Sequence, residues 1–192
     1  MSKKMLPIAL SNRHLHLSRE DINSLFGEGY ELKNFKDLSQ PGQFAAVEKV
    51  DIIGPKGTIS GVRVLGPARN STQIEVSLGD SFVLGLKPPV RDSGNLSDSP
   101  GVKIVGPNGE VELKEGVIIA SRHIHMHTSD AEAFGVTDKQ TVKVRTFGER
   151  AVIFENVLAR VHPTFALEMH VDVDEGNAAG VKNGDLVELI IE

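Results

Sequence analysis

The pattern of apolar and polar positions predicts a chain built mostly from short β-strands. Apolar runs rich in valine and isoleucine are separated by glycine, proline, serine and asparagine, which favour turns. Residues 7–17 and 117–127 are each predicted as one strand, and 141–146 as another. We therefore expect a mostly β fold with few helices.

Short helices are predicted directly after the two long strands. Ser18 is a suitable N-cap residue, Asp21 follows three residues later in the capping-box position, and Gly27 marks the end of the first helix. The second helix is expected to start at 128–130 and to end at Gly135.

Two hairpin turns share the pattern Gly-Pro-x-Gly, at 54–57 and 106–109. Proline presets φ for the second turn position and glycine supplies the positive φ at the exit, so both segments are predicted as tight turns between strands.

An internal repeat suggests how the strands are assembled. Residues 125–144 align without a gap on 170–189, which places His125 on His170 and Gly135 on Gly180. Such a repeat is typical of a small closed barrel with internal pseudo-symmetry. We expect two small β-barrels with short capping α-helices, divided into a first half (1–86), a linker and hairpin (87–115) and a second half (116–192).

Composition narrows the function classes. The net charge of −5 and scattered basic residues disfavour a nucleic-acid binder, and no apolar run has the length of a membrane span. With no cysteine, the chain has no disulfide, thiolate zinc site or cysteine nucleophile. Residues 1–6 are too short for a signal peptide, so we expect a cytoplasmic protein.

Five of the seven histidines lie in two similar segments, Arg13-His14-Leu15-His16-Leu17 and Arg122-His123-Ile124-His125-Met126-His127. Side chains two apart on a strand share one face, so each His-x-His pair can bind one metal ion while the apolar neighbours face a core. The alternative is two ordinary strands with surface histidines. The second copy in the same context favours metal binding.

A third ligand is predicted for each pair. His170 is placed with His123 and His125 by the repeat, and Glu75 occupies the matching position for His14 and His16. Two imidazoles with a third His or Glu are typical of catalytic zinc, so we expect two Zn²⁺ per chain. The alternatives are a solvated carboxylate for Glu75 and a barrel-interior imidazole for His170.

Three further residues have side chains that can bind an anion or a metal ion. Arg69, in a polar turn before Glu75, is the candidate phosphate receptor because a guanidinium binds phosphate bidentately; the alternative is an exposed turn arginine. His127 is a weaker candidate ligand. His162, which precedes a proline, is expected at the surface.

Three motifs in register resemble the PduL-type phosphate acyltransferases, a phosphotransacylase family associated with bacterial propanediol-utilising microcompartments. They are Ser11-Asn12-Arg13-His14-Leu15-His16-Leu17-Ser18, Gly66-Pro67-Ala68-Arg69 and Ala120-Ser121-Arg122-His123-Ile124-His125-Met126. The resemblance runs from about Pro7 to the C-terminus. It implies two β-barrels, a di-zinc site, and reversible conversion of acyl-CoA (propanoyl or acetyl) and phosphate to acyl phosphate and CoA.

The resemblance also implies roles for seven residues. One zinc would be held by His14, His16 and Glu75 and would meet the CoA sulfur. The other would be held by His123, His125 and His170, and Arg69 would bind phosphate. Encapsulated members have a longer N-terminal extension than the six residues before Pro7, which favours a free cytoplasmic enzyme over microcompartment association. A homo-oligomer is compatible with the sequence.

The residues support a direct mechanism and leave two rivals. Without a cysteine or a Gly-x-Ser-x-Gly serine, we expect phosphate to attack the thioester directly, with Arg69 and the His123 site orienting it and the His14 site receiving the sulfur. The rivals are a metal-dependent thioester hydrolase and a non-catalytic barrel stabilised by zinc.

Overall fold

Short strands dominate the fold, as the sequence predicts. The computed structural model describes residues 3–191, which form fifteen strands and four short helices. The strands are β1 (Lys4–Ser11), β2 (His14–Ser18), β3 (Asn34–Asp37), β4 (Phe44–Ile53), β5 (Thr58–Arg69), β6 (Gln73–Glu75), β7 (Val90–Arg91), β8 (Lys103–Val105), β9 (Glu110–Glu112), β10 (Val117–Ala120), β11 (His123–Met126), β12 (Thr141–Arg145), β13 (Ile153–Val161), β14 (Glu168–Asp172) and β15 (Leu186–Ile190). The helices are α1 (Arg19–Phe26), α2 (Leu78–Leu84), α3 (Thr128–Phe134) and α4 (Val173–Ala179).

The described residues fold into two compact units. The barrel unit contains 3–12, 39–41 and 121–191, and the sheet unit contains 13–38 and 42–120. Each unit is therefore assembled from separate chain segments, whereas the halves predicted from the sequence are contiguous. The segment 87–115, predicted as a linker and hairpin, runs within the sheet unit, where β7 pairs with β10.

The barrel unit is a closed six-stranded barrel in the order β1-β14-β11-β13-β12-β15. The internal repeat is visible in it, since β11-α3-β12 and β14-α4-β15 are each a strand, a short helix and a strand. Apolar side chains from all these elements fill the interior, among them Leu6, Ile8, Ile124, Met126, Val144, Val157, Met169, Val171 and Val187.

The sheet unit is a nine-stranded sheet in the order β7-β10-β6-β2-β5-β4-β8-β9, with β3 paired to β4. Its own core is formed by Leu15, Leu17, Ile22, Leu25, Ile52, Val64, Ile74, Leu84, Ile104 and Val117, among others. The fold class predicted from the sequence, mostly β with short capping helices, is confirmed.

Both long strands predicted from the sequence are wrong in one respect, because each is interrupted. The first splits into β1 and β2, and the second into β10 and β11. The breaks fall at the polar dipeptides Asn12-Arg13 and Ser121-Arg122, where the chain leaves one unit for the other. After each break the strand finds new partners: β1 pairs with β14 and β15, whereas β2 pairs with β5 and β6.

The two Gly-Pro hairpin turns are confirmed, but their last glycines, Gly57 and Gly109, do not have the predicted positive φ. Both turns also pack against the ends of helices. In each turn the first glycine donates its N–H to the last glycine, Gly54 to Gly57 and Gly106 to Gly109, at 2.9 Å. The turn at 54–57 donates the Lys56 N–H to the Leu84 carbonyl at the end of α2 (3.1 Å). A Cβ at Gly54 would lie 2.3 Å from that carbonyl oxygen, so only glycine permits the approach.

The helices serve as short caps on the sheets. Ser18 is the N-cap of α1 and Gly27 its C-cap, as predicted. The second predicted helix, α3, begins at Thr128, within the predicted start, but its N-cap is His127 and not a residue of 128–130. Helices in the described part of the chain have seven or eight residues, and none is long and apolar enough to cross a membrane.

Candidate metal centres

Three histidines of the barrel unit converge on the outer side of its wall. His123, His125 and His170 each offer a ligand atom, and these atoms lie within 4.8 Å of one another. The strands explain the grouping: β11 and β14 are antiparallel, and His123 stands opposite His170. Ile124 and Met126, which alternate with the histidines of β11, are fully buried in the barrel core.

Hydrogen bonds assign the tautomers of two of these imidazoles. His123 Nδ1 lies 2.8 Å from the Ser121 carbonyl oxygen, so it carries the proton and leaves a lone pair on Nε2. His170 Nε2 lies 2.7 Å from Glu168 Oε2, so its lone pair is on Nδ1. His123 Nε2 is 3.0 Å from His125 Nε2. Two ring nitrogens at this distance need a proton or a cation between them, and this arrangement fits a bound metal ion.

Glu168 contacts this cluster through its hydrogen bond with His170. Burial raises the pKa of Glu168, but hydrogen bonds from His170 and Ser39 outweigh that effect and lower the pKa below its ordinary value. The carboxylate therefore stays ionised and accepts the His170 proton. A carboxylate that accepts the other ring proton in this way is a usual partner of a metal-ligating histidine.

The sheet unit contains the second cluster, His14, His16 and Glu75. The three ligand atoms again lie within 4.8 Å of one another. β2 and β6 are antiparallel, with His14 opposite Glu75, and His14 Nε2 lies 3.5 Å from Glu75 Oε2. Leu15 and Leu17 on the opposite face of β2 are fully buried in the core.

His16 is almost completely buried, with 2% of its surface exposed. Burial, followed by the positive charges of His14 and Arg69, lowers the pKa of His16 to about 3. Its Nδ1 finds no hydrogen-bond partner among residues 3–191. A buried polar atom without a partner costs about 1–3 kcal/mol, so a neutral imidazole in this position suits a cation ligand.

Arg69 lies beside the sheet-unit cluster in a hydrogen-bonded network. Its Nη1 donates to Ser93 Oγ (3.2 Å), and Gln73 Nε2 donates to Ser93 Oγ (2.8 Å) and to Glu75 Oε1 (2.6 Å). Gly94 N–H donates to Gln73 Oε1 (2.7 Å). Arg69 and Glu75 are thus joined through two side chains.

The structure brings together the seven predicted site residues in two groups and leaves two other histidines outside. Each of those two accepts a hydrogen bond from a backbone N–H two residues on: His127 from Ser129 (3.2 Å), and His162 from Thr164 (3.3 Å). Neither is part of a candidate metal cluster in the described residues.

Sequence reasoning missed three residues that contact the clusters. Gln73 and Glu168 precede the third ligand of each group by two residues on the same strand face, so strand alternation could have identified them. No local signal could have identified Ser93, because it meets Gln73 from a segment 20 residues away.

The fold and the clusters define a mostly β protein with two separate three-ligand sites that could hold metal ions. The family model described as phosphate propanoyltransferase matches residues 7–182. Among curated proteins, the phosphate propanoyltransferase of Thermotoga maritima is 59% identical over 95% of this chain and 88% of its own length. Those of Priestia megaterium and Clostridioides difficile are 56% and 50% identical, over 94% and 96% of this chain and 83% and 88% of their own lengths.

The chain belongs to the phosphate propanoyltransferase family, a family of acyltransferase enzymes. The resemblance found in the sequence and the expectation of an acyltransferase are both confirmed.

Proposed function

We propose that the chain catalyses the reversible conversion of propanoyl-CoA and phosphate to propanoyl phosphate and CoA, with one zinc ion in each cluster. Family membership supports the reaction class. The observation that carries the assignment to this site is the network joining Arg69 to Glu75 through Ser93 and Gln73. It puts an anion receptor and a candidate metal ligand in one pre-organised group.

The donor sets favour zinc. Three imidazoles in one cluster, and two imidazoles with a carboxylate in the other, are ligand combinations of catalytic zinc sites that keep one position open. When bound, zinc would act as a Lewis acid toward the thioester carbonyl and would stabilise the thiolate of departing CoA.

Arg69 is proposed to bind phosphate and to orient it for attack. Its guanidinium is a fork of N–H donors suited to an oxyanion, and Ser93 holds it in place through the bond to Nη1. His14, His16 and Glu75 are proposed to hold the metal that receives the CoA sulfur. We also propose that the enzyme is cytoplasmic. Both proposed substrates are charged metabolites, and a chain without cysteine is compatible with a reducing compartment.

The transfer is proposed to occur in one step. A phosphate oxygen forms a bond to the carbonyl carbon, the carbon–sulfur bond breaks, and CoA leaves as the thiolate with the electron pair. The chain has no cysteine and no serine in a Gly-x-Ser-x-Gly turn, so no side chain is placed to form an acyl-enzyme in the usual ways. Orientation of two bound reactants is worth up to about 7–11 kcal/mol.

The test is an assay of propanoyl-CoA loss by the zinc-loaded protein, with and without phosphate. The proposal expects thioester loss only with phosphate, together with stoichiometric propanoyl phosphate. Thioester loss that is independent of phosphate would identify a hydrolase. Metal binding without turnover of propanoyl-CoA or acetyl-CoA would identify a non-catalytic barrel.

A further inference from the structure

The two candidate centres are built on the same strand arrangement. In the sheet unit, His14 stands opposite Glu75 and His16 stands opposite Gln73 on antiparallel strands. The residue opposite the second histidine, Gln73, is therefore two positions before the third ligand and on the same face. Its side chain bonds directly to that ligand, Nε2 to Glu75 Oε1 at 2.6 Å.

The barrel unit repeats this arrangement with other residue types. His123 stands opposite His170, and His125 stands opposite Glu168. Glu168 likewise precedes the third ligand by two positions and bonds to it, Oε2 to His170 Nε2 at 2.7 Å.

The residue types in the two arrangements are chemically complementary. A carboxylate ligand needs a hydrogen-bond donor on the oxygen that does not face the metal, and Gln73 supplies an amide N–H to Glu75. An imidazole ligand needs an acceptor for its ring N–H, and Glu168 supplies a carboxylate to His170. Each partner thus matches the charge and the hydrogen-bonding needs of its own ligand.

The orientation of the Gln73 amide is fixed by its other contacts. The Gly94 backbone N–H can only donate, so the amide oxygen must face it, at 2.7 Å. The amide nitrogen then faces Glu75 and Ser93, and only 1% of the Gln73 surface is exposed. Gln73 has no freedom to turn its oxygen toward Glu75 without leaving Gly94 unpaired.

Glu168 is held just as firmly. Ser39 Oγ donates a hydrogen bond to the oxygen that accepts from His170. The adjacent Gln40 is buried and donates from its Nε2 to the Ala166 carbonyl (3.0 Å), which ties 39–41 to the segment just before the strand that carries Glu168. The carboxylate is therefore aimed at His170 before any ligand arrives.

We propose that Gln73 and Glu168 are paired positioning residues, one for each metal centre, which orient the third ligand and set its affinity for the metal. Gln73 holds the Glu75 carboxylate so that Oε2 faces His14. Glu168 holds His170 in the tautomer with its lone pair on Nδ1. This inference rests on the proposed metal binding.

The test uses Co²⁺ as the metal probe on the full chain stripped by a chelator. His14→Ala removes a ligand from the sheet-unit centre and His123→Ala one from the barrel-unit centre, so each variant reports the other centre alone. Glu168→Gln is added to His14→Ala, and Gln73→Met to His123→Ala. Both changes keep the side-chain length. Gln73→Met removes the amide donor to Glu75, and Glu168→Gln replaces the charged acceptor of the His170 ring proton with a neutral one. Co²⁺ affinity is measured by competition with a chelator, and ligand-field absorption gives the coordination geometry.

Each partner change is expected to weaken Co²⁺ binding about 10–100-fold at its own centre and to alter the absorption of that centre. The crossed combinations, Glu168→Gln in His123→Ala and Gln73→Met in His14→Ala, are expected to bind Co²⁺ within about twofold of their parents. Unchanged affinity in the matched combinations, or equal losses in matched and crossed ones, would overturn the inference. Failure of the otherwise unchanged protein to bind Co²⁺ would overturn the proposed function as well.

A second measurement separates orientation from general loss of structure. In metal-free protein labelled with ¹⁵N-histidine, the His170 ring is expected to show the Nε2–H tautomer, and Glu168→Leu is expected to shift it toward a mixture. The other histidine signals should stay in place. A His170 tautomer that is the same with and without Glu168 would count against the positioning role, whatever the effect on stability.

Discussion

Arg13 and Asp80 form an ion pair in the sheet unit, with Arg13 Nη2 2.9 Å from Asp80 Oδ1. Arg13 directly precedes His14, and Asp80 closes the capping box at the start of α2, the helix that follows Glu75. The ion pair therefore connects β2, which carries His14, to α2, which follows Glu75. In the barrel unit, Arg122 and Glu175 form the corresponding pair at 3.2 Å, and Glu175 closes the capping box of α4.

Arg13→Gln is expected to destabilise the protein by about 1–3 kcal/mol, because it leaves the Asp80 carboxylate without its cation. Asp80 is buried, so water cannot fully replace the lost partner. Urea unfolding of the metal-free protein measures the effect. The matched control is Arg19→Gln, which breaks the exposed pair with Glu31 and is expected to cost less than about 1 kcal/mol. Equal losses for both variants would contradict a structural role for the Arg13 pair.

Arg69→Ala is expected to raise the KM for phosphate about 10–100-fold and to change the KM for CoA little, because the lost charged hydrogen bonds are worth about 1.5–3 kcal/mol. Steady-state kinetics in both directions, with each substrate varied in turn, provide the measurement. Arg19→Gln again serves as control, since it removes a positive charge from the same unit. Equal increases in both KM values would contradict the proposed role of Arg69 in binding phosphate.

Metal content is expected to be two ions per chain, and one ion after either His14→Ala or His123→Ala. The reason is that each cluster has its own three ligands on its own strands. Elemental analysis of protein dialysed against a weak chelator gives the ratio, and His162→Ala, which changes a histidine outside both clusters, is the control. Loss of both ions from either variant would mean that the centres do not fill independently.

Complete removal of metal is expected to abolish turnover, and full activity in excess chelator would exclude a catalytic metal.

Glu175→Gln is expected to reveal that ionised Glu175 opposes folding. Burial, which outweighs the charge of Arg122, raises the pKa of Glu175 above its ordinary value. At low pH the carboxyl is neutral in the folded and unfolded chains alike. As the pH rises, the unfolded chain loses its proton first, so the stabilising contribution of neutral Glu175 is lost as the pH passes through the raised pKa.

The free energy of unfolding of the unchanged protein, measured relative to Glu175→Gln, should therefore fall as the pH is raised from below the ordinary pKa of a glutamate. Glutamine keeps the capping box intact, so the comparison isolates the charge. Asp174→Asn, which removes an exposed acid from the same helical turn, is the control for the loss of one negative charge at this end of α4. A difference that grows with pH in favour of glutamate would show that the ion pair with Arg122 dominates.

Much of the candidate site could be predicted from the sequence because strand periodicity is local. Alternation alone puts His14 with His16, and His123 with His125, on one face. The repeat of 125–144 in 170–189 predicts His170, and the matching position in the first half predicts Glu75. The structure shows these residues grouped in two clusters, while their roles as metal ligands remain predictions.

Other features depend on which strands pair, and pairing is not encoded locally. The polar dipeptide Asn12-Arg13 interrupts 7–17, but nothing there shows that the chain changes strand partners, because both parts need the same alternation of side chains. Ser93 contacts Gln73 only because the chain after β7 passes beside β6. Neither feature could be inferred from spacing or composition.

The position of β1 in the barrel has a consequence for synthesis of the chain. β1 is made first, yet both of its neighbours, β14 and β15, are made last. On the ribosome, the barrel cannot close until β15 has emerged, whereas every strand of the sheet unit lies between residues 13 and 120 and can assemble earlier. A nascent chain that stalls before β14 would expose both edges of β1 to other molecules.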